Sequence, residues 1–318
     1  MAVPFRRAAA TARAVSCEAA ALAGHLLLYP TGIPPEEWPD TWWLCRPHRP
    51  TLAPLTAPDG PLVRALDARA AAQADHCRGC DGSAEACTAP GPVLLLHGFI
   101  DNRSVFTVLR RSLRRQGWQH VHGLNYSLLT MDVRSAAVLL GRHVEHARHL
   151  HGGERVALVG HSLGGLIGRY YVQRLGGDEH VHTLVTLGAP HSGTLAARLP
   201  SPLPITRQLR PDSDLIQELC TPAVGCRTRF VAFWSDLDQL ILPARFARLD
   251  HPDLEVKNIL VPGIGHLALT VHTDVVTGIQ RVLQQHWPDR RRPPDPRADT
   301  GAEDIAPGPG CPPDQLTA

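Results

Sequence analysis

Lysine is almost missing from this chain of 318 residues, with Lys257 the only one among 32 basic side chains. Arginine stays protonated and cannot act as a general base. Serine–lysine and Schiff-base mechanisms therefore have one candidate, in the charged stretch Asp253 to Lys257 at the start of an expected strand. Histidine, with 18 copies, is the available base. No apolar run reaches the roughly 18 to 20 residues of a membrane span. Net charge is only +2, so no basic excess points to nucleic acid as a partner. A clear cleavable signal peptide is missing as well, because Arg13 and Glu18 interrupt the apolar stretch behind Phe5-Arg6-Arg7. Cys17 after Ala14-Val15-Ser16 matches a lipoprotein site only loosely. The expected location is cytoplasmic or membrane-associated rather than secreted. The N-terminus is read as a helix that docks on the domain or lies against a membrane surface, which includes peripheral lipid-surface contact.

Hydrophobic residues make up 43% and charged residues 19% of the chain, which fits a globular protein with a substantial core. The most informative stretch is Gly160-His161-Ser162-Leu163-Gly164, a Gly-x-Ser-x-Gly pentapeptide. The apolar run Val156 to Val159 precedes it and a helical pattern from Leu166 to Gln173 follows. A strand that turns sharply into a helix forces the serine into a strained backbone and holds its hydroxyl above the sheet edge. Gly160 and Gly164 lack a Cβ, so neighbouring chain can close around the turn. Ser162 is thus the expected nucleophile, with the Leu163 amide at a helix N-terminus facing developing negative charge.

Residues 30 to 92 carry many prolines and small residues and no clear strand. From Pro92 onward short apolar runs alternate with helical patterns. Strands are expected at Val93 to Leu96, Val121 to Tyr126, Arg155 to Val159, His182 to Leu187, Phe230 to Trp234 and Val256 to Val261. Helices are expected at Ser104 to Trp118, Val133 to His149 and Leu267 to Trp287. Such alternation implies an α/β fold, a parallel sheet of about six strands covered on both faces. The expected organisation is an N-terminal helical and irregular extension over 1–91, a catalytic domain over 92–287, and a Pro-rich, disordered tail over 288–318.

A serine hydroxyl needs a base within hydrogen-bond reach, and the base needs an orienting acid. In open parallel sheets such groups sit at the carboxyl ends of strands. His266 follows the last strand through Pro262-Gly263-Ile264-Gly265 and is the expected base. Asp236 and Asp238 both follow the strand ending at Trp234 and compete for the acid role. The second oxyanion amide is expected from Phe99, after His97-Gly98. His191, His272, His97 and His161 are read as structural or solvated. No cofactor and no catalytic metal is called for.

Eight cysteines are present. Cys220 and Cys226 flank Pro222 and Gly225, a natural small disulfide loop in an oxidising compartment. His76, Cys77, Cys80 and Cys87 cluster tightly, but a second Cys-x-x-Cys pair is lacking, so disulfides or free thiols are favoured over zinc.

Taken in order, Leu95-Leu96-His97-Gly98-Phe99, the serine pentapeptide with Gly165, Thr186 to Thr194, Ser235-Asp236-Leu237-Asp238 with Pro243, and Gly265-His266 resemble an α/β-hydrolase of the bacterial, notably actinobacterial, lipase and esterase kind. The resemblance covers roughly residues 92 to 287 and implies a Ser162–His266–Asp238 triad, with Asp238 the better match for the acid. It also implies an apolar lid over about 194–226. The implied activity is hydrolysis of apolar carboxylic esters through an acyl-enzyme. Acyl transfer, thioester cleavage on the same triad, and a binding protein with a silent triad are the competing readings.

Overall fold

The computed structural model describes residues 2–32, 91–99, 101–126, 132–201, 203 and 205–286, with side chains of the first helix from residue 15. The chain divides into two compact units, 1–35 with 90–318, and 36–89; the second lies outside the described residues. So do the Pro-rich tail, Ile100 and the His76/Cys77/Cys80/Cys87 cluster.

The first unit opens with helix α1 (Ala2–Gly32) and then alternates strands with helices: β1 (Val93–Leu96), α2 (Thr107–Arg115), β2 (Val121–Leu124), α3 (Val133–Leu150), β3 (Val156–His161), α4 (Leu163–Arg174) and β4 (Val181–Leu187). Two short helices, α5 (Ile205–Gln208) and α6 (Asp214–Cys220), precede β5 (Arg229–Trp234), β6 (Glu255–Leu260) and α7 (Thr273–His286). The six strands form one sheet in the order β2-β1-β3-β4-β5-β6. Every pairing is parallel. This is the α/β architecture that the alternating pattern predicts.

Central strands are apolar on both faces because helices cover both. Every residue of β1, β3 and β4 is buried. One face carries Leu95, Val159, Val185 and Phe233 against Leu109, Leu113 and Trp118 and against Val275, Ile279 and Leu283 of α7. A hydrogen bond from Gln280 Nε2 to Ser112 Oγ, 2.7 Å, joins α7 to α2 on that side. On the other face Leu96 and Leu184 meet α4 at Gly168, where a Cβ would touch both leucines. At the far edge β6 is only partly buried and carries Glu255 and Lys257. Charges on an edge strand discourage pairing with another chain.

The expected helix at Leu267 to Trp287 is broken. Leu267–Thr270 forms a separate 3-10 turn, and α7 starts only at Thr273. The reason is tertiary. The Glu18 carboxylate of α1 accepts hydrogen bonds from the amides of Leu267 (2.8 Å) and Ala268 (3.1 Å), which fixes a helix start directly after His266.

Candidate active site

β3 ends where the pentapeptide begins. Ser162 has φ 52°, the only positive φ of a non-glycine residue among the described residues. Its own amide donates to the Leu187 carbonyl (2.8 Å), and its carbonyl accepts from Gly165 (3.0 Å), so both sides of the turn are fixed. The glycines are sterically required. A Cβ on Gly160 would lie 2.5 Å from the Gly165 nitrogen, and one on Gly164 would overlap the carbonyls of Leu96 and His97. Ser162 is half-buried between the buried His161 and Leu163. Leu163 opens α4, where an amide has no partner inside its helix.

The loop after β1 closes over this turn. A Cβ on Gly98 would come within 3.3 Å of the Ser162 Cβ, which places the Gly98–Phe99 backbone beside the serine. Tyr126 holds that loop. Its hydroxyl donates to the His97 carbonyl (2.6 Å), and its ring stacks on the His97 imidazole at 4.2 Å. Burial lowers the His97 pKa to about 4, so this ring is neutral at pH 7.

His266 and Asp238 arrive from the loops after β6 and β5. His266 Nδ1 lies 2.7 Å from Asp238 Oδ2, and both side chains are buried. The other oxygen, Asp238 Oδ1, accepts from the amides of Leu240 and Ile241, each at 2.9 Å. Burial alone would raise the Asp238 carboxyl; His266 and the two amides outweigh it and hold it below the usual carboxylate range. Burial likewise opposes the His266 imidazolium, but Asp238, aided by Glu18 and Asp101, raises its pKa above the ordinary histidine value. Gly188, at φ 56°, sits against the pair; a Cβ there would reach Asp238 Oδ2 at 3.0 Å and His266 Nδ1 at 3.1 Å. Asp236 serves the neighbouring loop instead. Its Oδ1 accepts from the Gly263 amide at 2.8 Å and fixes the segment that leads to His266. Among the described residues no hydrogen bond closes the Ser162 hydroxyl onto the imidazole. In unliganded enzymes that bond is often long and tightens with substrate.

Several contributors carried no signal in the sequence. His161, read as structural or solvated, is buried with its Nε2 3.2 Å from the His266 carbonyl and its Nδ1 3.2 Å from Asp101 Oδ2. Asp101 also meets His25 of α1 at 3.3 Å. Burial pushes the Asp101 carboxyl up, but the surrounding histidines bring it down to about 2. Behind the site, Arg169 is fully buried with no carboxylate partner among the described residues. It donates to the carbonyls of His191 and Leu219 (2.9 Å each) and to Gln173. Burial lowers its pKa to about 9, which still leaves it charged at pH 7. His191, through Nε2, bonds Thr186 Oγ1 at 2.9 Å and is structural. His272 lies 3.9 Å from Asp274, outside the site.

Residues 194–226 hold the short helices α5 and α6. Ile205, Leu215, Ile216 and Leu219 are turned inward and buried. Glu218 ties the segment to α3 and α4 through Arg134 (2.8 Å) and the Tyr170 hydroxyl (2.7 Å). Leu199, at 68%, and Val224, at 86%, are largely exposed. The disulfide expected between Cys220 and Cys226 is not formed: Cys226 is a free thiol, whereas Cys220 is disulfide-bonded. Cys226 instead faces Thr228, Asp178 and Arg155, and burial raises its thiol pKa.

The sequence profile of the family described as palmitoyl protein thioesterase matches residues 92–246, which includes Ser162 and Asp238 and stops before His266. Among solved structures, the mature form of Bacillus licheniformis lipase BlEst2 superposes with a TM-score of 0.53 at 14% identity, covering 62% of this chain and 93% of that one. Aspergillus fumigatus lipase B gives a TM-score of 0.55, also at 14% identity, covering 65% of this chain and 56% of that one. Six parallel strands, the serine turn after β3 and these likenesses agree: the chain has the α/β-hydrolase fold.

Proposed function

We propose that this protein is a serine hydrolase of apolar carboxylic esters and thioesters. The observation that carries the reading is the strained Ser162, held at the strand–helix turn on the same sheet edge as a buried Asp238–His266 pair. Ser162 Oγ attacks the acyl carbonyl while His266 Nε2 takes its proton. The oxyanion is held by the amides of Leu163 and Phe99. His266 returns the proton to the departing alcohol or thiol, leaving an acyl-Ser162. Water then attacks, His266 again takes and returns a proton, and the carboxylic acid leaves. Asp238 keeps Nδ1 protonated and stabilises the imidazolium.

Thioesters enter the proposal because of the match to the palmitoyl protein thioesterase family. A thiolate leaves readily, so the acid role of His266 matters less for a thioester than for an ester. The test is kcat/KM for paired acyl-ester and acyl-thioester series from acetyl to palmitoyl, with fluorophosphonate labelling of Ser162. Activity should rise with acyl length, by up to about 0.8 kcal/mol per buried methylene, until the pocket is full. A steady fall from acetyl onward would remove the apolar acyl substrate, and no labelling of Ser162 would leave a binding protein.

The surface of α1 supports delivery of such substrates from an anionic lipid surface. Glu18, His25 and Tyr29 face the domain, whereas Val15, Leu22, Leu26 and Leu27 are exposed, Leu27 at 80%. The end of α1, at Thr31 and Gly32, lines a cavity of about 550 Å³ with Arg103, Arg111, Arg114 and Arg115. Apolar side chains beside arginines suit a bilayer carrying anionic headgroups. Sedimentation with anionic and neutral vesicles, using Leu26→Glu with Leu27→Glu as the control, tests it. Equal recovery with both vesicle types would remove the lipid partner.

A further inference from the structure

The opposite end of the sheet carries a second cluster of side chains. His120 directly precedes β2, and His122 lies within it. Residues two apart on a strand share a face, so the two imidazoles stand side by side. His151 follows the last residue of α3 and caps it. The His120 and His151 rings lie 4.0 Å apart between centroids, and the His122 and His151 rings 6.4 Å apart. One ring nitrogen from each of the three lies within 4.8 Å of the others. The His120 carbonyl accepts from the Val93 amide (2.8 Å), so the backbone under the cluster is fixed at the entry end of β1 and β2. Ser162 lies past the other end of β3, roughly 20 Å away at about 3.3 Å per strand residue.

We propose that His120, His122 and His151 bind a borderline divalent metal ion, with zinc the expected occupant, and clamp the edge strand β2 to the end of α3. Three imidazoles with neither thiolate nor carboxylate suit zinc, nickel, cobalt or copper and not magnesium or calcium. Coordination needs metal–nitrogen distances of about 2.0–2.1 Å, hence nitrogens about 3.4 Å apart, so modest side-chain rotation closes the site. Burial and mutual repulsion keep the imidazoles of His122 and His151 neutral, with pKa values of about 3 and 4, and the neutral ring is the ligating form. Among the described residues β2 is an edge strand with one neighbour in the sheet, so a cross-link to α3 would secure a short, four-residue element held by a single ladder. The ion would be structural, with no part in acyl chemistry.

The test uses the untagged full chain, stripped with a chelator and titrated with zinc against a chromophoric competitor. About one equivalent should bind and raise Tm. Single replacements His120→Ala, His122→Ala and His151→Ala should each weaken binding by at least the roughly 10- to 100-fold seen for losing an outer-shell partner. They should leave ester hydrolysis by the metal-free protein unchanged. Because a variant could misfold, the unaltered chain provides a second reading. Cobalt should give a tetrahedral absorption spectrum without a thiolate charge-transfer band. Zinc should protect His120, His122 and His151 from carbethoxylation by diethyl pyrocarbonate, read by peptide mass spectrometry. No stoichiometric binding, equal binding in all three variants, a thiolate band, or unprotected histidines would each overturn the site.

Discussion

The Glu18 carboxylate in α1 accepts hydrogen bonds from the amides of Leu267 and Ala268, so a residue near the chain's start holds the loop that presents His266. Gly265 makes the approach feasible, since any Cβ there would overlap the Glu18 carboxylate. Glu18→Ala is expected to cost about 1.5–3 kcal/mol, the range for hydrogen bonds to a charged group. It should also lower kcat for ester hydrolysis more than it raises KM. Gly265→Ala should reproduce both effects by displacing Glu18. Chemical denaturation and steady-state kinetics of the two variants check this; an unchanged kcat in both would make α1 a mere cover.

Ser162 offers a stability test separate from its chemistry. A non-glycine residue at φ 52° stores strain of order 1–3 kcal/mol, which glycine relieves. Ser162→Gly should therefore unfold at higher denaturant than the unaltered chain, by about 1 kcal/mol. Ser162→Ala keeps the Cβ and should gain little. Both should lose ester hydrolysis, by a factor on the order of 10⁶ if the serine-protease precedent transfers. Near-normal turnover by Ser162→Ala would sink the mechanism.

For the acid, Asp238→Asn should reduce kcat by about 10⁴, because an asparagine can favour the wrong imidazole tautomer. Asp236→Asn should cost far less, since Asp236 binds the Gly263 amide in the neighbouring loop. The pH profile supplies the sign. His266 must be neutral to accept a proton, and its pKa is raised in the folded protein. Activity should thus fall on acidification with an apparent pKa above about 6.5. In Asp238→Asn that limb should move to lower pH. A limb that does not move would place the titrating group elsewhere.

Asp101 should appear in acid stability. Its carboxyl titrates near 2 in the folded protein against an ordinary value of 3.8. A depressed carboxyl contributes stability that is complete above the unfolded value and is lost as pH falls through the folded one. Asp101→Asn should therefore be less stable at pH 6, and its Tm should depend less on pH between about 4 and 2. Parallel Tm curves for the two proteins would show that the His25–Asp101–His161 contacts contribute nothing to folding.

Much of the site was legible in the chain because local rules govern it. A Gly-x-Ser-x-Gly between a strand and a helix can adopt few backbones, so Ser162 and the Leu163 amide follow from neighbours in sequence. The same holds for the six strands, whose apolar runs are too short for helices and too continuous for one-sided sheets. Pairing Asp238 rather than Asp236 with His266 is different. A single residue, Leu237, separates the acids, and the turn at Leu240 and Ile241, whose amides bind Asp238 Oδ1, directs one of them inward.

Other features required the fold. Asp101, His161, Glu18 and His25 carry no mutual signal, since up to 143 positions part them, from Glu18 to His161. The sheet brings them to one edge, and burial makes their hydrogen bonds obligatory. Cys220 and Cys226 show the reverse: proximity in sequence suggests a bridge, yet the backbone turns Cys226 toward Thr228 and leaves it a free thiol. The sequence by itself determined the strand–helix alternation and the strained serine turn, because each depends on residues within a turn or strand of one another. Tertiary structure alone decided that a polar face of α1 supports the loop presenting His266, and that three histidines from two elements meet at the opposite end of the sheet. Those outcomes depend on which surfaces the folded sheet brings into contact, and no local spacing encodes that.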